Sequence, residues 1–169
     1  MCGTRRRFLS ASLAGAMVGL ASLPDPACAV GNWNQGETVV LPPLTLLDGT
    51  ALDLAAMRGK LVVLEFWASW CPFCAKQNPL IEALYVEHRA RGLHVVGVSI
   101  DKTRKAADDY MRRHRYSFKA GMVNPAYAAI YHLRKGLPQT YVIGRDGRLA
   151  QFDMGEMFEE DIRAIARHL

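Results

Sequence analysis

An α/β domain built around a central mixed β-sheet is the fold class this sequence predicts, on three observations. Residues 61–67, Leu-Val-Val-Leu-Glu-Phe-Trp, form a nearly continuous apolar run, as in strands buried on both faces. Strand-like and helix-like segments alternate from there to His114, the pattern of parallel strands joined by crossover helices. Two short apolar runs around Asp146-Gly147 then add an antiparallel hairpin near the C-terminus, which makes the sheet mixed.

Each element has its own signal. Val39 to Leu54 predicts a small N-terminal β-hairpin, with Asp48-Gly49 turning between apolar-rich arms. Gly59-Lys60 punctuates the entry to the central strand. Beyond it, Leu80, Ile81, Leu84, Tyr85 and His88 recur at helical spacing, Gly92 ends that helix, and Pro79 is expected to kink it. Leu93 to Ile100 reads as a second strand, and Thr103 to His114 as a helix with Ala106, Tyr110 and Met111 turned inward. Pro125 to Tyr131 reads as a short helix, and Gly136-Leu137-Pro138 as the break before the hairpin of Thr140 to Ile143 and Arg148 to Asp153. A last amphipathic helix carries Phe158, Ile162, Ile165 and Leu169.

With 169 residues, half of them hydrophobic and 22% charged, the composition is that of one globular domain and excludes a disordered or fibrous chain. Residues 1–29 read as an export leader. Arg5, Arg6 and Arg7 supply the positive end, Phe8 to Leu23 a moderately apolar stretch, and Ala27-Cys28-Ala29 a small-x-small cleavage site after Ala29. Thr4 to Ser10 is of the twin-arginine type; the alternatives are a general secretory leader or an uncleaved anchor, although a span needs ~20 apolar residues. Residues 30–36 are then a linker and 37–169 the domain.

Removing the leader takes Cys2 and Cys28 with it and leaves Cys71 and Cys74 as the only thiols. A disulfide framework and a four-cysteine zinc site are thereby excluded. The leader also carries three Arg and one Asp, so the formal charge falls from +5 to +3. Without a Lys/Arg cluster interleaved with aromatics, that modest basicity argues against nucleic acid as a partner. Cys74 is followed by Ala75 and not by the histidine of a CxxCH motif, which excludes covalent haem attachment.

The chemistry centres on Trp70-Cys71-Pro72-Phe73-Cys74, where an apolar strand gives way to a helix. Placed in the first helical turn, Cys71 would meet unpaired backbone N–H groups and the positive end of the helix dipole, both of which stabilise a thiolate. Cys74, one turn further on, faces the same side within reach of a disulfide. Glu65 interrupts the apolar strand six residues earlier. A carboxylate there is costly unless it has a function or a partner, so it is either a proton acceptor for Cys74 or a strand-end group reaching solvent or Lys60.

The run Phe66-Trp67-Ala68-Ser69-Trp70-Cys71-Pro72-Phe73-Cys74, Pro79 eight residues after the first cysteine, and Gly136-Leu137-Pro138-Gln139-Thr140 ahead of a strand resemble the thioredoxin superfamily, and within it the exported TlpA/ResA-like branch. The resemblance covers residues 37–169. It implies a thioredoxin fold with a TlpA-like insertion, to which Met122 to His132 is assigned. It also implies a cis Pro138 beside the sulfurs, a Leu137 backbone free to pair with an extended substrate, and a buried acid at Glu65. Trp70, Pro72 and Phe73 would form the apolar collar that receives the substrate, with Trp67 packed beneath. Family members devoted to cytochrome c maturation often carry Asn at the Glu65 position and an acid at that of Gln77; this chain differs at both.

The expectation is therefore a periplasmic protein thiol-disulfide oxidoreductase, monomeric, acting on protein thiols and disulfides with a membrane electron donor or acceptor and without cofactor or resident metal. Reduction of protein disulfides is the leading direction. Two alternatives stand beside it: a disulfide oxidase, suggested by Pro72 and an aromatic within the pair, and a Cu(I) chaperone using Cys71, Cys74 and a third ligand.

Overall fold

The computed structural model describes residues 34–131, 133 and 136–169; the leader with Cys2 and Cys28, most of the linker, and His132 lie outside the described residues. Five strands form one sheet: β1 (Leu61–Trp67), β2 (Leu93–Ser99), β3 (Lys119–Met122), β4 (Gln139–Ile143) and β5 (Leu149–Met154), in the spatial order β3-β2-β1-β4-β5. Parallel pairing joins β1 to β2 and β2 to β3, whereas β4 runs antiparallel to both β1 and β5. The mixed sheet expected from the sequence is present.

Strand β1 lies at the centre because its seven residues are apolar on both faces but for Glu65, and all seven are buried. Alternation divides the core. Leu61, Val63 and Trp67 face α1 (Pro72–His88), α2 (Arg104–His114) and α4 (Glu159–Ala164), meeting Ile81, Leu84, Tyr110 and Ile162. Val62, Leu64 and Phe66 face the other way, against Leu44, Leu46, Met57 and Tyr127 of α3 (Pro125–Ile130). Glu65 shares the parity of Val63 and Trp67, so its side chain belongs to the face covered by α1.

Helix α1 starts with Pro72 in its first turn, where the missing N–H costs nothing, and continues through Pro79 to His88. A short 3₁₀ segment follows and ends at Gly92, whose φ of 97° is left-handed. The inward face of α1 is Cys74, Gln77, Asn78, Ile81, Leu84 and His88. It therefore begins with polar residues, ahead of the apolar periodicity that marks the helix in the sequence. In α2, Thr103 is the N-cap, and Ala107 takes the inward position expected of Ala106.

Three segments take a more specific form than the sequence predicts. The hairpin expected over residues 39–54 is short: around the Asp48-Gly49 turn, Leu46 N donates to Thr50 O and Leu52 N to Leu44 O, both at 2.8 Å, on either side of an antiparallel Thr45–Ala51 bridge, and no longer strands form. This segment also reaches across to β3, where Leu46 bridges Gly121 and Leu47 N donates to Ala120 O at 2.8 Å. It thus covers the edge of the sheet. Within the region Met122 to His132, which the resemblance assigns to an insertion, the described residues include the end of β3 and α3. Phe158, expected on the buried face of the last helix, is 69% exposed at its N-cap, because the inward positions are taken by Ile162 and Ile165.

Strand β3 has no counterpart in the sequence reading, since Lys-Ala-Gly-Met offers neither β-branched residues nor alternation. Its glycine has a steric reason. A Cβ on Gly121 would lie 2.7 Å from the backbone oxygen of Thr45. Gly121→Ala should therefore lower stability by about 1–3 kcal/mol, measured by chemical denaturation; unchanged stability would mean that residues 44–47 are not held against β3.

Candidate active site

Strand β1 delivers the chain to a loop that is fixed before the first cysteine is reached. Ile100 N donates to Trp67 O at 2.9 Å. Asp101, only 6% exposed, accepts from Ser69 N at 3.0 Å, from Ser69 Oγ at 2.7 Å and from Ser99 Oγ at 2.7 Å. Cys71 N then donates to Ala68 O at 3.1 Å, closing the turn. A buried carboxylate satisfied by one backbone and two hydroxyl donors thus ties the loop to the end of β2.

This places Cys71 at the N-cap of α1, one residue before the first turn where the sequence reading put it. Its Sγ accepts from Cys74 N at 3.1 Å, the bond that an N-cap side chain makes to a free N–H of the first turn. Cys71 and Cys74 are joined as a disulfide with Cα atoms 5.2 Å apart, inside the normal range. Cys74 is fully buried and Cys71 slightly open. The sulfur nearer the surface is therefore the one that also lies closest to the positive end of the helix, which suits it to attack.

Around the pair, Pro72 is exposed, Trp70 is 65% exposed and Phe73 is 51% exposed, while Trp67 is buried beneath against Tyr110. Lys76 lies 5.8 Å from the centre of the Phe73 ring and pairs with Glu156 at 3.3 Å. The Leu137-Pro138 bond is cis. Because Gln139 pairs with Phe66, Pro138 lies at the end of the sheet where β1 leads into the cysteine loop. Pro138 is buried, with its carbonyl accepting from Gly155 N at 2.9 Å, and Leu137 is half-buried. Trp70 and Phe73 thus leave large apolar side chains exposed beside the cysteine pair.

Glu65 is completely buried, and neither solvent nor Lys60 reaches it. Gln77 Nε2 donates to Glu65 Oε1 at 2.9 Å and to Thr140 Oγ1 at 2.9 Å, and Gln77 Oε1 accepts from Met157 N at 2.8 Å. The Asn78 amide, with its nitrogen toward the sheet, donates to Cys74 O at 3.1 Å and to Glu65 Oε1 at 3.2 Å. Glu65 Oε2 has no protein partner. Burial pushes the carboxyl up to about 8, against the opposing pull of the Gln77 hydrogen bond. Such a group can hold or release a proton near neutral pH, and Asn78 links it to the backbone of Cys74.

Gln77, Asn78, Asp101 and Thr140 are site residues that the sequence reading did not assign. Gln77 and Asn78 carried a usable signal: they lie three and four positions after Cys74, on the stripe that continues to Ile81 and Leu84. Asp101 carried none beyond following a buried strand. Among the described residues, no group of three His, Cys, Asp or Glu side chains is arranged to hold a metal.

A carboxyl with a raised pKa in the folded state binds its proton more tightly there than in the unfolded chain. Its contribution to stability is fully present below the ordinary Glu value and is lost as pH rises through about 8. The loss is on the order of 5 kcal/mol. The resistance of the wild type to denaturation should fall over this window, and Glu65→Gln should remove most of the slope. Equal slopes in the two proteins would show that Glu65 is ionised throughout.

The model of the AhpC/TSA family matches residues 38–152. The thiol-disulfide oxidoreductase ResA of Bacillus thuringiensis subsp. konkukian is 28% identical over 131 residues, covering 75% of this chain and 73% of that protein. Among solved structures, a putative protein disulfide isomerase from Bacteroides thetaiotaomicron superposes with a TM-score of 0.72 at 26% identity, over 80% of this chain and 88% of that one. A putative thiol:disulfide interchange protein DsbE from Chlorobium tepidum gives 0.70 at 24% identity, over 81% and 96%. With its disulfide at the head of α1 and a cis proline at the same end of the sheet, the chain belongs to the AhpC/TSA family of the thioredoxin superfamily and is a thiol-disulfide oxidoreductase.

Proposed function

We propose that the protein is a periplasmic reductase of protein disulfides, exported by the leader of residues 1–29 and released by cleavage after Ala29. The observation that carries the reading is the asymmetry of the pair. Cys71, 4% exposed, stands at a helix N-cap beside the exposed Trp70, Pro72 and Phe73, while Cys74 is fully buried and Asn78 bridges its carbonyl to the buried acid.

In the reduced protein, the Cys71 thiolate attacks one sulfur of a substrate disulfide. A mixed disulfide forms and the other substrate thiolate leaves. Cys74 then gives its proton to the Glu65 carboxylate and attacks Cys71 Sγ. The Cys71–Cys74 bond forms, the second substrate thiolate departs, and two electrons have passed to the substrate. Trp70, Pro72 and Phe73 hold the partner against the pair, and the Leu137 backbone pairs with an extended stretch of it beside Pro138. In the reverse direction a protonated Glu65 returns the proton to the departing Cys74, so the same residues serve both directions.

The direction rests on the TlpA/ResA-like residues around the pair. An exported reductase works in a compartment kept oxidising, so its disulfide must be re-reduced by a donor in the membrane. No helix among the described residues is long and apolar enough to cross a membrane, so the donor is taken to be a separate protein. The oxidoreductase itself acts as a monomer.

Cys74→Ser should accumulate a covalent adduct with a disulfide-bonded protein, and Cys71→Ser should form none. Alkylation trapping from growing cells should find the pair mostly reduced. Adducts through Cys74 would overturn the order of attack, and a mostly oxidised pair would overturn the direction.

A further inference from the structure

We infer that Gln77 is a positioning residue for the proton-transfer step: with Asn78 it fixes the Glu65 carboxyl so that Oε1 is a standing acceptor and Oε2 is the oxygen that gains and loses the proton. The inference rests on the reading of Glu65 as the proton acceptor and adds which residues orient it and at which atom it reacts.

The orientation of the Gln77 side chain follows from its partners. At one end is the N–H of Met157, which can only donate, so the amide oxygen must face it. The nitrogen is thereby turned to Glu65 Oε1 and Thr140 Oγ1, both at 2.9 Å. Reversal would set oxygen against oxygen at Glu65 and N–H against N–H at Met157. Asn78 is fixed by the same logic, because the carbonyl of Cys74 can only accept. Glu65 Oε1 therefore receives two donors whose direction cannot change without breaking bonds to Thr140, Met157 and Cys74.

A proton on Oε1 would be driven against those two N–H groups. Oε2, buried and without a protein partner, has no such conflict. The two donors favour the ionised carboxyl and offset part of the burial that opposes it. The other titratable groups acting there are Tyr110 of α2 and Tyr116, both of which feel the charge of Glu65, with Asp101 acting on Tyr110 and Cys74 on α1 nearby. No Lys or Arg contributes to the shift of Glu65, so the amides are its main source of stabilisation as an anion.

The infrared band of the protonated Glu65 carboxyl, identified by its loss in Glu65→Gln, provides the test. In the wild type it should disappear with rising pH in one step near 8. In Gln77→Met, which keeps the volume and removes the donor, the midpoint should rise by about one pH unit, and the pH profile of mixed-disulfide release should move with it. Gln77→Glu keeps acceptors for Met157 N and the Thr140 hydroxyl but replaces the donor by an acid, so the titration should split into two steps. A folded Gln77→Met with an unmoved midpoint overturns the inference; if that variant does not fold, an unsplit titration in Gln77→Glu does so. Should the Gln77→Met midpoint rise while Glu65→Gln leaves the release profile unchanged, the positioning stands and the proton-acceptor role of Glu65 falls.

Discussion

A carboxyl group sealed in the middle of an apolar strand is the constraint around which this site is arranged. An unpaired charge in that position would cost several kcal/mol, so the surroundings must supply donors or keep the group neutral. The chain does some of each. Strand alternation turns Glu65 to the face covered by α1, where the inward stripe of the helix is polar for one turn, and the cross-strand neighbour on β4 is Thr140. One amide, that of Gln77, then joins β1, α1, β4 and the segment before α4. What packs these elements together is also what sets the proton affinity of Glu65.

The cysteines are held by a second buried carboxylate with a different role. Asp101 is satisfied by Ser69 and Ser99 and fixes the turn that ends at Cys71. The two acids divide the work: one is fully bonded and positions the sulfurs, and the other keeps one oxygen unpartnered. The outer half of the site is apolar and exposed and the inner half polar and sealed. On the proposed reading, this separates the surface that receives a partner from the atoms that exchange protons.

Much of this was legible in the sequence because it depends on local pattern. The Cys-Pro-Phe-Cys spacing at a strand-to-helix junction and the apolar central strand with its single acid survive in the structure, and the cis Leu137-Pro138 bond, implied only by the family resemblance, is present as well. What was not legible depends on distant pairing. Lys119–Met122 becomes a strand only because β2 and residues 44–47 lie on either side of it. Of the hairpin read over residues 39–54, the pairs nearest the Asp48-Gly49 turn form, and its first arm also pairs with β3, which no local pattern announces. Helical spacing puts Gln77 and Asn78 on the inward stripe of α1, but what they bond to is not legible until the position of Glu65 is known.

The most direct test of the account is the rate at which the Cys71-linked mixed disulfide is released by Cys74, followed in single turnover across the pH range. The wild-type rate should rise with pH as Glu65 ionises, with a midpoint near 8, and Glu65→Gln should be slower at high pH with that step missing. The same profile in both proteins would contradict the account, because Cys74 would then be losing its proton to some other group.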